Sequence, residues 1–94
     1  MLDMNSMYLL ERSIVIRSIG DKYWALDISS GNQYRLNEVS HFILNLLRVQ
    51  MSTDQVVEEI LREYEVDRDQ AATDCSNVIR FAIEKNIIKE VSNS

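Results

Sequence analysis

The side chains best suited to catalysis or metal binding in this sequence are one histidine, His41, and one cysteine, Cys75. A zinc site uses three or four ligands drawn mainly from these two residue types, so two are too few. His41 lies beside the apolar stripe of a predicted helix, where a surface or partly buried histidine is the simpler interpretation. Cys75 lies on the apolar face of another predicted helix, which favours a core thiol over a nucleophile. The sequence therefore predicts neither a metal site nor an enzyme.

Phosphate and cofactor binding have no better support. Two glycines cannot build a Gly-rich phosphate-binding loop, and no nucleotide-binding motif occurs. The carboxylates concentrate in DQVVEEILREYEVDRD, residues 54–69. They fit a solvated helix face with acidic groups near the helix starts, where the helix dipole favours them. We expect no cofactor.

The composition predicts one small domain. The 94 residues suit a single unit over 1–94, with residues 1–7 expected to be flexible and residues 91–94 expected to form a tail. The net charge of −5 argues against nucleic acid and against anionic membranes as partners, because both are polyanions. No apolar run reaches the length of a membrane span. A single cysteine excludes an internal disulfide and indicates a reducing cytoplasm.

The first half of the chain predicts an antiparallel meander. Three runs favour strands, and they are RSIVIRS (12–18), KYWALDI (22–28) and QYRL (33–36). Gly20 and Gly31 lie between these runs, and glycine suits the tight turns that would join them. The two-residue period of a strand places Trp24, Leu26 and Ile28 on one face. We therefore expect a three-stranded sheet with one apolar face.

The second half predicts three amphipathic helices, covering about residues 38–49, 53–64 and 68–85. The predicted capping residues are Asn37, Ser52 and Asp67 at the helix starts, and Asn86 at the end of the third helix. The IIKEV segment that follows suggests a short extended tail. The order βββααα predicts an α+β fold, a three-stranded antiparallel sheet followed by three helices, and is compatible with a winged helix-turn-helix.

The third helix has a wider apolar arc than one packing contact needs. At 100° per residue, Phe81 lies to one side of the central apolar stripe, and Asp74 and Lys85 lie between Phe81 and that stripe. Phe81 could pack against the sheet while the charged groups reach solvent. Alternatively, this flank could form the wall of a binding groove. The residues alone leave both interpretations open.

The predicted sheet offers a second binding feature. A three-stranded meander has two edges with unpaired backbone groups, and such edges accept a strand from another chain. The third strand, residues 33–36, would be the docking edge if the third helix lay beside it. The sequence does not establish that adjacency.

The chain from about Trp24 to Val91 resembles the PqqD-like proteins, the RiPP recognition elements. The resemblance lies in Leu26-Asp27, Gly31 with Tyr34, and Leu36-Asn37, and then in Thr53, Tyr64, Val66-Asp67 and Asp74. Two positions depart from the family pattern. Ser40-His41 replaces a small Gly-Ala pair, and Asn86 replaces a glycine. Among family members, the chain looks most like the free-standing proteins of lasso-peptide clusters.

The resemblance implies a non-catalytic adaptor with a winged helix-turn-helix fold. It implies that the leader of a ribosomally made precursor peptide adds as a strand to the third strand and lies against the third helix. It also implies delivery to a leader peptidase or another RiPP-modifying enzyme. Tyr34 is expected to serve the core more than the contact. The expected peptide-binding residues are Asn32, Gln33, Tyr34, Arg35, Leu36, Asp74, Asn77, Val78, Phe81 and Lys85.

Two other functions share this topology. A winged-helix DNA-binding regulator would need basic residues clustered on a recognition helix. The third helix instead balances its cations with acidic residues, since Arg68, Arg80 and Lys85 accompany Asp69, Asp74 and Glu84. A dimerisation module, with two copies joined through the exposed sheet edge, is the third alternative.

Overall fold

The computed structural model of the chain describes residues 6–91 and shows an α+β fold of six short strands and three helices. The elements in chain order are β1 Met7–Leu10, β2 Ile14–Ile19, β3 Lys22–Asp27, β4 Gln33–Leu36, α1 Glu38–Leu46, β5 Met51–Ser52, α2 Thr53–Glu63, α3 Arg68–Glu84 and β6 Ile88–Val91. The strands form two antiparallel sheets, ordered β2-β3-β4 and β5-β1-β6.

The β2-β3-β4 sheet is the predicted meander. Gly20 and Gly31 occupy the two turns with φ angles of 64° and 81°, a left-handed conformation that glycine adopts without steric cost. The register pairs Ile16 with Ala25, and Ala25 with Tyr34. β4 pairs with β3 on one side only, so it is an edge strand of this sheet among the described residues.

The face of β3 that carries Trp24 and Leu26 is not the buried one, so the expectation of a single apolar face does not hold. Ala25 is fully buried and faces the core, so Trp24 and Leu26 share the opposite face. Ile28 lies beyond the end of β3 and is 72% exposed. The buried Ile16 of β2 fixes this orientation because it lies directly opposite Ala25. The two-residue period correctly grouped Trp24 with Leu26. The face on which these large side chains lie is the outer face of the sheet.

The second sheet was not predicted. β1 and β6 pair along their full length, from Met7 opposite Val91 to Leu10 opposite Ile88, and β5 pairs with β1. The expectation that residues 1–7 are flexible is wrong for its last two residues, because Ser6 is buried and Met7 begins β1. Val91 likewise belongs to β6 and not to a tail. The remaining positions of those two expectations, 1–5 and 92–94, lie outside the described residues.

The helix starts match the predicted caps. The side-chain oxygen of Asn37 accepts a 2.8 Å bond from the Ser40 N–H at the start of α1. Ser52 and Gln55 form a reciprocal capping box at the start of α2. These bonds satisfy amide groups that lack a partner inside the helix. At the start of α3, the Asp67 carboxylate accepts a 2.8 Å bond from the Gln70 N–H.

The helix ends are as well defined as the starts. α1 ends at Leu46 and not at Val49, because the N–H groups of residues 47–49 donate to carbonyls three residues back in the chain and not four. Asn86 ends α3 with a φ of 59°. The Ile87 N–H donates to the Ala82 carbonyl at 2.8 Å, which completes a Schellman motif.

The core lies between the helices and the inner faces of both sheets. Its fully enclosed large side chains are Tyr8, Ile43, Leu44, Leu47, Ile60, Ile79, Ile87, Val56 and Cys75. Because these come from both ends and the middle of the chain, the second sheet belongs to the same core as the meander. Across residues 6–91, no helix has the length and hydropathy that crossing a membrane requires.

Candidate functional site

A cavity of about 240 Å³ lies between the first turn of α1 and the middle of α3. Its lining residues are Asn37, Val39, Ser40, Asp74, Asn77, Val78 and Phe81. Valine and phenylalanine side chains supply apolar walls, while amide, hydroxyl and carboxylate groups supply hydrogen-bonding positions. A cavity of this composition can bind an apolar side chain and orient it by a few polar contacts.

A ring contact fixes α3 beside β4. The Tyr34 and Phe81 rings meet edge to face, with centroids 6.3 Å apart and planes at 87°. This geometry matches the favourable electrostatics of aromatic pairs. Phe81 therefore packs against the sheet and also lines the cavity, and its part in binding stays a prediction. The adjacency of the third helix and the third strand of the meander is confirmed.

The register of the meander determines which backbone groups of β4 face outward. The Asp27 N–H donates to the Asn32 carbonyl at 2.9 Å, and these residues continue the β3-β4 pairing. Backbone groups point to alternate sides along a strand. Tyr34 and Leu36 consequently direct their N–H and C=O groups towards β3. Those of Gln33 and Arg35 point away from it, along the outer edge.

The polar groups of the cavity differ in how they are engaged. The Asn37 side chain is used by its cap bond to Ser40. Asp74 is partly buried, and one of its carboxylate oxygens accepts a 2.9 Å bond from the Gln70 side chain. Asn77 is exposed at the cavity mouth. Asp74 and Asn77 thus offer a negative acceptor and an amide to a molecule entering the cavity.

Residues 22–88 match the model of the family described as Coenzyme PQQ synthesis protein D (PqqD). The chain belongs to the PqqD family. The match covers well over half of the chain and includes β3, β4 and all three helices. The resemblance to PqqD-like RiPP recognition elements is therefore confirmed.

Two solved structures share the fold of this PqqD-family chain. One, described as "TbiB1 in Complex with the TbiA(beta) Leader Peptide", has 25% identity and a TM-score of 0.74, covering 86% of this chain and 94% of the other. A second, "Lasso peptide synthetase B1 complexed with the leader peptide", has 24% identity and a TM-score of 0.73, covering 87% and 96%. A search of curated proteins finds no significant match.

Nine of the ten predicted site residues of this PqqD-family chain fall into two groups. Those that line the cavity are Asp74, Asn77, Val78 and Phe81. Those on or beside the β4 edge are Asn32, Gln33, Tyr34, Arg35 and Leu36. Leu36 is 4% exposed and serves the core, and its N–H and C=O groups point to β3, so neither its side chain nor these groups face the outer edge. Lys85 does not line the cavity, because it lies at the C-cap of α3 with its ammonium 3.7 Å from the Glu84 carboxylate.

Three cavity residues, two on α1 and one at its N-cap, were not predicted as site residues. Asn37 was predicted only as a cap, and Val39 only as part of the apolar stripe. Ser40 was noted as a departure from the family pattern, and the structure places it in the cavity lining. The signal that could have identified them is their position at the start of the helix that directly follows β4.

The histidine and the cysteine of this PqqD-family chain are both structural. His41 stacks on Tyr23 with ring centroids 4.1 Å apart, and its Nε2 lies 3.1 Å from the Asn45 side-chain nitrogen. Desolvation, with a smaller contribution from Arg48, lowers the pKa of His41, which favours a neutral ring that accepts from Asn45. Burial raises the pKa of Cys75 to about 12, so its thiol stays protonated. Within residues 6–91, no cluster of side chains suited to a metal ion is found.

Proposed function

We propose that this PqqD-family protein is a non-catalytic adaptor that binds the leader of a ribosomally made precursor peptide. The observation that carries the proposal is the side-by-side placement of an outward-facing strand edge and a partly apolar cavity, joined by the Tyr34–Phe81 contact. The leader complexes of the two similar structures support the same function. The described residues of the chain would then act as a winged helix-turn-helix, with β2-β3-β4 as the wing.

The leader adds to β4 as a fourth strand. The outward N–H and C=O groups of Gln33 and Arg35 form its main-chain hydrogen bonds, as in other strand-addition complexes. Each such bond contributes only about 0.5–1.5 kcal/mol net. Main-chain pairing alone would therefore give weak and sequence-independent binding.

Specificity comes from the cavity between α1 and α3. Side chains on an added strand alternate between its two faces, so every second leader residue faces α3. The apolar walls formed by Val39, Val78 and Phe81 favour an apolar or aromatic anchor. Asp74 and Asn77 favour an anchor, or a neighbouring residue, that carries a hydrogen-bond donor.

The adaptor presents the bound leader to a leader peptidase or to another RiPP-modifying enzyme. We propose lasso-peptide biosynthesis as the pathway, and the similar structure described as a lasso peptide synthetase B1 with its leader peptide supports it. The protein needs no cofactor for this role, and we place it in the reducing cytoplasm, where a free thiol such as that of Cys75 persists. A DNA-binding regulator is not proposed, because Arg68 on α3 is paired with Glu58 at 2.7 Å and the helix surface is not basic.

The test is calorimetric titration of the protein with a synthetic leader from the precursor encoded beside it. We expect saturable one-to-one binding with a micromolar or tighter dissociation constant. Amide exchange should slow at Gln33 and Arg35, whose N–H groups gain partners, and should change little in β2. A folded protein that fails to bind the leader at tens of micromolar would refute the proposal. Protection confined to β5-β1-β6 would refute the docking edge.

A further inference from the structure

The outer face of the β2-β3-β4 sheet forms a second surface, separate from the cavity. The side chains on this face belong to Val15, Arg17, Ile19, Lys22, Trp24, Leu26, Gln33 and Arg35. Val15, Trp24 and Leu26 are only partly buried and do not pack against the core. Ile19 is 58% exposed, and Ile28 beside this face is 72% exposed. We call the eight side chains of β2, β3 and β4 on this face the outer patch, and Ile28 is not one of them.

The charge of the outer patch opposes that of the whole protein. The chain carries a net charge of −5, yet the patch holds three cations, Arg17, Lys22 and Arg35, and no acidic side chain. The one carboxylate within these three strands, Asp27, lies on the opposite face of β3. Asp21 lies in the turn between β2 and β3 and directly precedes Lys22 in the sequence. The ion pairs identified among residues 6–91 all lie on the helices or at the end of α3, and they involve none of these cations.

Trp24 lies at the centre of the patch between two arginines. Arg17 and Arg35 are its cross-strand neighbours on β2 and β4. The Arg35 guanidinium lies over the Trp24 ring, 5.6 Å from its centroid, within the range of a cation–π contact. Tryptophan and arginine are the residues most enriched at the energetic centres of protein interfaces. The contact holds both side chains in place before any partner binds, which reduces the entropy lost on binding.

We propose that the outer patch docks an acidic-rimmed apolar surface of a partner protein, namely the enzyme that processes the leader. This inference deepens the proposed function by naming where that enzyme binds. Charge complementarity requires carboxylates opposite Arg17, Lys22 and Arg35. The aliphatic side chains of the outer patch require an apolar centre on the partner's surface, and a nucleic-acid backbone does not supply one. A symmetric pair of copies would place cations against cations at this face.

The leader and the enzyme do not compete for the same groups. The leader pairs with the outward backbone edge of β4, whereas the patch uses the side chains on one face of the sheet. A leader strand added to β4 extends this face by one strand, so alternate leader side chains lie next to Arg35. The enzyme would therefore contact the adaptor and its bound leader together, and the two binding events should reinforce each other.

The experiment compares Arg17→Glu with Arg48→Glu. Both residues are exposed and both changes reverse one charge, but Arg48 follows α1 and lies outside the outer patch. Binding of the purified leader-processing enzyme is measured with and without leader at two salt concentrations. We expect Arg17→Glu to weaken enzyme binding at least five-fold while Arg17→Lys and Arg48→Glu stay within two-fold of the unmodified protein. Added salt should weaken the unmodified complex. Leader titrations should be the same for all four proteins.

A zero-length carbodiimide cross-link supplies an independent readout. We expect Lys22, the one lysine of the patch, to join an aspartate or glutamate of the enzyme. Equal enzyme binding by Arg17→Glu and the unmodified protein would overturn the inference, as would cross-links that avoid Lys22. Self-association in light scattering, or oligonucleotide binding, that is lost in Arg17→Glu would reassign the patch to a second copy or to a polyanion. A protein that binds leader but no enzyme overturns only this inference, whereas one that binds no leader overturns the proposed function.

Discussion

Phe81 is the residue whose removal best tests the link between sheet edge and cavity. Truncating a fully buried phenylalanine to alanine costs about 3–5 kcal/mol. Because Phe81 is partly buried, we expect Phe81→Ala to lower the free energy of unfolding by about 2 kcal/mol, including part of the ring contact with Tyr34. For a domain of this size, that loss corresponds to a fall in Tm of roughly 10 °C.

The effect of Phe81→Ala on leader affinity should exceed what the stability loss can explain. The substitution removes one wall of the cavity and frees the Tyr34 ring beside the docking edge. We expect a loss of about 1–2 kcal/mol of binding free energy, a factor of roughly 5–30 in the dissociation constant. Calorimetric titration well below the Tm measures this loss, and far-UV circular dichroism shows whether the helices remain.

The matched control for Phe81→Ala is Ile83→Ala on the same helix. Ile83 is 38% exposed and does not line the cavity, so its truncation should lower stability slightly and leave leader affinity within two-fold. If folded Phe81→Ala binds the leader as tightly as the unmodified protein, the cavity is not the anchor site. If Ile83→Ala weakens binding equally, the loss comes from general damage to α3.

Four further changes test other parts of the structure. Asp74→Ala should weaken leader binding about three- to ten-fold in calorimetry with little change in Tm, because the Gln70 contact that it removes is exposed; unchanged affinity would exclude Asp74 from the site. Gln33→Pro removes an outward N–H without removing a bond to β3, so amide exchange should show an intact meander while leader affinity falls several-fold, and a melted meander would contradict the register. Bonds from Ser29 lower the pKa of Asp27 to about 2, so its contribution to stability should persist above pH 4 and disappear as the pH falls through about 2. Denaturant titrations of Asp27→Asn should lack that step. Asn86→Gly should raise stability by several tenths of a kcal/mol in the same assay, because its φ is 59°; a loss would show that the Asn86 side chain matters.

The elements predicted correctly from the sequence are those whose causes are local. The turns at Gly20 and Gly31, the caps at Asn37, Ser52 and Asp67, and the stop at Asn86 depend on neighbouring residues alone. β1 and β6 could not be predicted in this way. Each is four residues long and is defined by a partner at the other end of the described chain, which no local pattern records.

The candidate site was predicted on one element and missed on another. The wide apolar arc of α3 identified Asp74 and Phe81, because helical spacing alone defines that arc. Val39 and Ser40 were missed because their role depends on how α1 packs against α3. The outer patch was missed because the sequence analysis expected a sheet with one apolar face, whereas both faces of the meander carry apolar side chains. Only the pairing of Ile16 with Ala25 shows that Trp24 faces outward.

The pairing of β1 with β6 also brings the two ends of the described chain together. Because Met7 lies opposite Val91, the described chain enters and leaves the domain at one place. A domain whose two ends are adjacent can be inserted into a loop of a larger protein without disrupting either fold. Such a domain also tolerates circular permutation, in which the two ends are joined and the chain is opened at another point. The β4 edge and α3 take no part in that pairing. A domain of this fold could therefore exist as a separate protein or as an insert within a larger one.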